Sequence, residues 1–300
     1  MARSTHATVP DARNELVLVY VDGRFVPRAE AHVSVFDSAF LIGDGIWEGL
    51  RFHDGRFLHL DRHFDRLFAT AESVHLDIGK TRGELADILE ETVRRNEMVT
   101  GAHVRLMITR GTKSTALQDP RLTADGPTIV VIAEYKLTDP SLAVGGLRLH
   151  TASIRRPPPE TLDQRWNCHS KLHEVVALAQ AIAAGADEAL MLDTNGNVAT
   201  CNSTNFFIVR DGALWTSTGD HCLNGITRGL AIELSREHDI AVFERDFVLD
   251  DVYAAAEAFV TGTFGGITPV VEVDGRTIGS GTPGPITHLL TATYRETLER

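Results

Sequence analysis

Lysine is the scarcest charged residue of this sequence: four in 300 residues (Lys80, Lys113, Lys136 and Lys171) stand beside 25 arginines. Chemistry that needs a primary amine therefore has few places to happen. Cysteine is scarce too. Cys168, Cys201 and Cys222 form an odd set without metal-ligand spacing, which excludes a disulfide scaffold or a zinc module and fits a reducing cytoplasm. Long apolar runs are missing, the longest being strand-sized like TIVVIAEY, so no segment reads as a membrane span. The start, MARSTHATVPDARNEL, has no apolar stretch of signal-peptide length, so a cytoplasmic location is expected. Positive charge is in deficit as well, with a net charge of −12. That balance argues against a sequence-independent grip on nucleic acid or an anionic membrane.

What is present suits a globular protein of one large or two ordinary domains, with 43% hydrophobic and 23% charged residues. ELVLVYVDGRFVP reads as a hairpin turning at Asp22-Gly23, and the strand pattern continues through HVSVFDSAFLIGDGIWEGLRFHDGRFLHL. Leu60, Phe64, Leu67 and Phe68 recur at helical spacing, and residues 81–97 predict a second helix. HVRLMITRG and PTIVVIAEY follow as strands. The Asp-Pro, serine and paired glycines of 138–146 mark an interdomain linker. Beyond it, LRLHTASI is a strand and 171–184 a helix. EALMLD, NFFIVRDGALW, IAVFER and AFVTGTFGGITPVVEVDG are strand-like, with helices over TRGLAIELSREH and from about Pro285. The expectation is an α+β protein with a smaller N-terminal domain over 1–137 and a larger C-terminal domain over 147–300.

Two turns suit an anion. LNGITRG places Gly225, Ile226 and Thr227 at a helix start, and TGTFGG places Gly262 and Thr263 after a strand. Unpaired N–H groups and the positive end of the helix dipole favour phosphate there, although such turns also occur as ordinary caps. Arg62 and Arg66 lie one turn apart on the first helix, a spacing that solvated arginines share. Arg105 shares one strand face with His103 and Met107, where an inward arginine needs an anion. Trp47 and Arg51 read by themselves as core and rim.

Taken together, VYVDGRFVP, FDSAFLIGDGIWEGLR, DRHFDRL, GADEALMLDTNGNV, NGITR, FVTGTFGGITPV and DGRTIGSGTPGPIT occur in the order seen in class IV aminotransferases. Over roughly residues 17–298 the chain resembles the branched-chain and D-amino-acid aminotransferases, the fold type IV pyridoxal-phosphate enzymes. The resemblance implies a two-domain homodimer whose cofactor cleft is completed by the partner subunit. It implies pyridoxal 5'-phosphate held by Arg62, by the backbone of Ile226 and Thr227 after Gly225, and by Thr263 after Gly262. It puts Arg105 on the substrate-carboxylate side, with His103 where branched-chain members carry tyrosine, Trp47 as the pocket aromatic and Lys113 as a further carboxylate ligand.

The resemblance breaks at two positions. Relatives place their Schiff-base lysine five or six residues before the leucine that corresponds to Leu172, and that count reaches Asn167 or Trp166. Lys171 stands instead where branched-chain members have tyrosine. Either Lys171 has taken over the imine, or the chain has no imine lysine, or Lys113 serves. Four residues along a helix is one turn of about 5.4 Å, within reach of a lysine stem, whereas in an extended segment it is roughly 13 Å. Thr200 also stands where relatives carry the glutamate that keeps the pyridine nitrogen protonated. A hydroxyl can donate to a neutral pyridine but cannot hold its proton as a carboxylate does, which makes the ring a weaker electron sink. Cys168 and Cys201 flank the altered positions, and His169 and His173 bracket Lys171.

The expected function is transamination between an amino acid or amine and a 2-oxo acid, with Lys171 as the amine and no metal. The alternatives are a pyridoxal-phosphate lyase or racemase on the same fold, which Thr200 suggests, and a non-catalytic binder of phosphate esters.

Overall fold

The computed structural model describes residues 4–6, 9–138 and 140–299. The chain divides into two compact units. One comprises Val9–Leu137 with Trp166–Ser170; the other comprises the described residues of 1–8, 138–165 and 171–300. Residues 166–170 thus pack apart from the residues that flank them in sequence.

The smaller unit is an antiparallel sheet backed by helices. Its strands are β1 (Leu18–Val21), β2 (Arg24–Pro27), β3 (Gly45–His53), β4 (Arg56–Phe57), β5 (Ala102–Thr109) and β6 (Thr128–Tyr135). They lie in the order β2-β1-β6-β5-β3-β4. Asp22-Gly23 turns the first hairpin with φ of 44° and 85°, the paired left-handed backbone that suits the twist of flanking strands. Helix α2 (Leu60–Ser73) follows the expected spacing, burying Phe64 and Leu67 on the sheet. Helix α3 (Arg82–Arg95) starts on a Thr81/Glu84 capping box. The strand pattern expected to run through HVSVFDSAFLIGDG does not. Asp37 accepts from Ala39 N and starts the short helix α1 (Ser38–Ile42), which Gly43 ends at φ 73°. A local side-chain cap outweighs apolar alternation there.

The larger unit is built on a mixed sheet. In chain order its elements are α4 (Ser141–Gly145), β7 (Leu147–Thr151), α5 (Leu172–Ala183), β8 (Glu188–Leu192), β9 (Val198–Cys201), β10 (Asn205–Arg210) and β11 (Ala213–Thr216). They continue with α6 (Ile226–Glu237), β12 (Val242–Glu244), α7 (Leu249–Tyr253), β13 (Glu257–Gly262), β14 (Gly266–Val273), β15 (Arg276–Thr277) and α8 (Pro285–Glu299). The strands run β12-β11-β10-β13-β14-β7-β8-β9, with β15 on β14. β8 and the first five residues of β10 are buried throughout, the polar Glu188 and Asn205 at their starts included, so both strands are covered on either face. The helical turn α4 lies in the stretch expected to be irregular linker. Helix α5 buries Ala177 and Ala181 against Ala152, Ala189 and Met191, small residues that bring the helix close to the sheet.

Candidate functional site

In the smaller unit, the side chains singled out from the sequence gather on β3, β5 and α2. Trp47 on β3 lies beneath the Arg105 guanidinium, 3.9 Å from its carbon to the ring centre. Arg105 is exposed rather than inward-facing, and it uses this cation–π contact. His103, two residues earlier on β5, crowds Gly49, where an added Cβ would meet its Nε2 at 3.1 Å. Arg62 is exposed on the first turn of α2. One turn on, Arg66 donates to both carboxylate oxygens of the fully buried Glu48 at 2.9 and 2.7 Å, and His63 Nδ1 sits 2.7 Å from Glu48. Burial works to raise the Glu48 pKa, but the Arg66 and His63 contacts hold it below the usual carboxylate range. This cluster fastens α2, and with it Arg62, to β3. Lys113 is buried and its ammonium donates to the Asp119 carbonyl at 3.1 Å.

Residues 166–170 run alongside β3 as a non-helical strip, so the step from Asn167 to Lys171 is not the single helical turn expected from the sequence. Trp47 N donates to Asn167 O at 2.9 Å and His169 N to Gly45 O at 2.8 Å, with a bridge between Ile46 and Cys168. Asn167 is buried, and its Nδ2 donates to Trp47 O at 2.6 Å while its Oδ1 has no hydrogen-bond partner. His169 also belongs to this strip, with Nε2 3.2 Å from Ile46 O. A side-chain amide cannot form an imine, and neither Asn167 nor Trp166, the two positions the sequence count reaches, offers an amine.

In the larger unit, Lys171 caps the start of α5, and its side chain keeps 28% of its exposure. Its Nζ lies 3.4 Å from Glu174 Oε1, which also accepts from Arg156 Nη1 at 2.7 Å. Arg156 is nearly fully buried and is fixed by donation to the His221 carbonyl at 3.0 Å. His173 Nε2 sits 3.0 Å from Arg156 and 2.9 Å from Gln164 Oε1. Burial opposes ionisation of Glu174, yet the charges of Lys171 and Arg156, with His173, hold its pKa below the ordinary value. Burial pushes the His173 pKa down, with Glu174 opposing. The i,i+3 spacing of Lys171 and Glu174 was a readable signal for this pair. Arg156 carried none, since it lies in an aperiodic proline-rich stretch.

The two turns expected to hold an anion both adjoin one residue, Asn205, by its backbone on one side and its side chain on the other. Asn205 on β10 pairs with Thr261 on β13, directly before Gly262 and Thr263. The same asparagine donates to Leu223 O at 2.8 Å. At Gly225 an added Cβ would stand 2.3 Å from Asn205 Oδ1, so only glycine admits this approach. Helix α6 begins after Gly225 with no side-chain cap, so the N–H groups of Ile226 and Thr227 stay available to an anion. The hydroxyl of Thr261 is buried without a hydrogen-bond partner. Uncapped donors, a cradle a Cβ would fill and an orphaned hydroxyl fit a bound phosphate ester. Thr200 on β9 is buried and donates to the Thr204 carbonyl at 2.8 Å.

This pair of units, with glycine-started α6 and the β13–β14 turn in the larger one, is the architecture of fold type IV pyridoxal-phosphate enzymes. The solved T.th. branched-chain amino acid aminotransferase, complexed with N-(5'-phosphopyridoxyl)-L-glutamate, matches with a TM-score of 0.87 over 94% of each chain at 31% identity. The model of the amino-transferase class IV family matches residues 45–273, and the chain belongs to that family. A putative branched-chain-amino-acid aminotransferase of Methanocaldococcus jannaschii is 40% identical over 93% of this chain and 95% of its own length. Branched-chain-amino-acid aminotransferase-like protein 1 of Arabidopsis thaliana is 37% identical over 97% of this chain. The chain spans about half the length of that plant relative, 52%. Class IV aminotransferases use pyridoxal 5'-phosphate. Among the described residues, no helix is long and apolar enough to cross a membrane.

Proposed function

We propose that the chain is a pyridoxal-phosphate-dependent transaminase that moves an amino group between an amino acid or amine and a 2-oxo acid, with Lys171 as its amine. One contrast carries the reading. Asn167 is buried and tied to Trp47, whereas Lys171 opens α5 with its side chain partly exposed, in the unit that also carries the uncapped α6. Arg62, the N–H groups of Ile226 and Thr227, and the turn of Gly262 and Thr263 would hold the phosphate, with Thr200 at the pyridine nitrogen. Bound pyridoxal phosphate supplies the electrophilic carbonyl and an electron-accepting ring. Lys171 Nζ, as the free amine, would move a proton between the substrate α-carbon and the cofactor's C4′, and Glu174 would hold that nitrogen when it is charged. Trp47 and His103 would line the substrate side. Arg105 is the better carboxylate partner, because the Lys113 ammonium is buried on the Asp119 carbonyl. A homodimer is supported by exposed apolar side chains on α5, Leu172 and Val175, and near α1, Val35 and Phe40. Three free thiols support a cytoplasmic setting.

A second reading, a phosphate-ester binder without catalysis, draws on the Lys171–Glu174–Arg156 pairing, which gives the amine a protein partner already. Product analysis separates the readings. Amino-group exchange with 2-oxo acids that Lys171→Ala abolishes is the expected outcome. Deaminated or racemised substrate without exchange would mean a lyase or racemase, and bound cofactor with no turnover would mean the binder.

A further inference from the structure

The turn from Thr200 to Thr204 has a hydrogen-bond direction that chemistry fixes. Thr200 Oγ1 lies 2.8 Å from the Thr204 carbonyl oxygen. A carbonyl only accepts, so the hydroxyl proton of Thr200 is committed to it. The same carbonyl accepts from Cys201 N at 2.9 Å, and this closes the turn. With its one proton spent, the Thr200 hydroxyl presents only lone pairs to any further partner. The expectation that it donates to a neutral pyridine reverses.

A carboxylate stands behind this turn. Glu188 on β8 is fully buried, and Thr204 Oγ1 donates to its Oε2 at 3.3 Å. Its other oxygen accepts from the backbone N and hydroxyl of Thr5 at 2.7 and 2.5 Å, and from Ser4 Oγ at 3.2 Å. Thr204 therefore grips Glu188 with its side chain and Thr200 with its carbonyl. Titratable groups at this turn include Glu188, Cys201, His6 beside Ser203 at 3.3 Å, and Cys222, whose sulfur lies 3.5 Å from Asn205 Nδ2. Burial first, and then the Glu188 charge, push the Cys201 thiol well above its ordinary pKa. The carboxylate's field thus reaches the residue next to Thr200, where it favours bound protons.

We propose that Thr200 meets the cofactor's pyridine nitrogen as a hydrogen-bond acceptor and so favours the protonated ring, with Glu188 the positioning residue behind Thr204. This rests on the cofactor reading given above. An acceptor hydroxyl backed by a buried carboxylate would do part of the work of the glutamate that relatives carry. The test is 15N NMR of the protein loaded with pyridoxal 5'-phosphate labelled at the ring nitrogen. The expected spectrum has the bound resonance in the pyridinium range for wild type and Thr200→Ser, and moved to the neutral-pyridine range in Thr200→Val. Glu188→Gln, which keeps the shape and removes the charge, should move it part of the way. A neutral-range resonance in wild type overturns the proposal, as does a pyridinium resonance that Thr200→Val and Glu188→Gln leave in place. Absence of any bound resonance overturns the cofactor reading itself, and this proposal with it.

Discussion

Asn167 and Trp47 are tied in both directions, Trp47 N to Asn167 O at 2.9 Å and Asn167 Nδ2 to Trp47 O at 2.6 Å. The amide at 167 therefore acts as a structural staple for the 166–170 strip. Asn167→Asp has the same shape but faces the Trp47 carbonyl with an acceptor, and should cost about 3 kcal/mol. Asn167→Ala should cost only about 1–2 kcal/mol, since it also removes the orphaned Oδ1. Urea denaturation midpoints check the ranking, and equal losses would contradict it.

The Glu48 cluster predicts a pH dependence. Its pKa lies below the unfolded carboxylate value near 4.3. Its contribution is therefore present above that value and lost as pH falls through the lowered folded pKa. Glu48→Gln should cost about 3 kcal/mol at neutral pH by leaving Arg66 and His63 without their anion. The gap from wild type should begin to close as pH falls below the unfolded carboxylate pKa and should be gone below the lowered folded value. A gap unchanged by acid would show that Glu48 does not hold the cluster as a carboxylate.

Gly225→Ala tests the anion cradle. Its φ of −64° suits any residue, so the fold should persist. The methyl group would drive Asn205 from a position fixed by Leu223. Affinity for pyridoxal 5'-phosphate, followed by fluorescence titration, should drop about tenfold, or about 1.4 kcal/mol. Unchanged affinity would place the phosphate elsewhere.

Thiol labelling separates the cysteines. Cys201 and Cys222 are buried, and Cys168 is partly exposed. In the native protein Cys168 should react with an aromatic disulfide reagent, while the other two should wait for unfolding. Rapid labelling of all three would contradict this packing.

Legibility in the sequence followed periodicity. The spacing of Phe64 and Leu67 predicts α2 and so places Arg62, and glycine before Ile226 predicts the uncapped helix. The strip 166–170 was opaque, because a short polar run without alternation gives no sign that it will add to β3. Thr200 was readable as a replaced carboxylate but not in its hydrogen-bond direction, which depends on a turn closing back to Thr204. Glu188 and Arg156 were silent because their partners Thr5, Thr204 and Glu174 meet them only through tertiary structure.

The role of Lys171 is tested most directly by borohydride reduction of the protein loaded with pyridoxal 5'-phosphate, followed by peptide mapping. The account predicts a stable pyridoxyl label on Lys171 that Lys171→Ala removes. A label on Lys113, or cofactor bound with no labelled lysine, would contradict it.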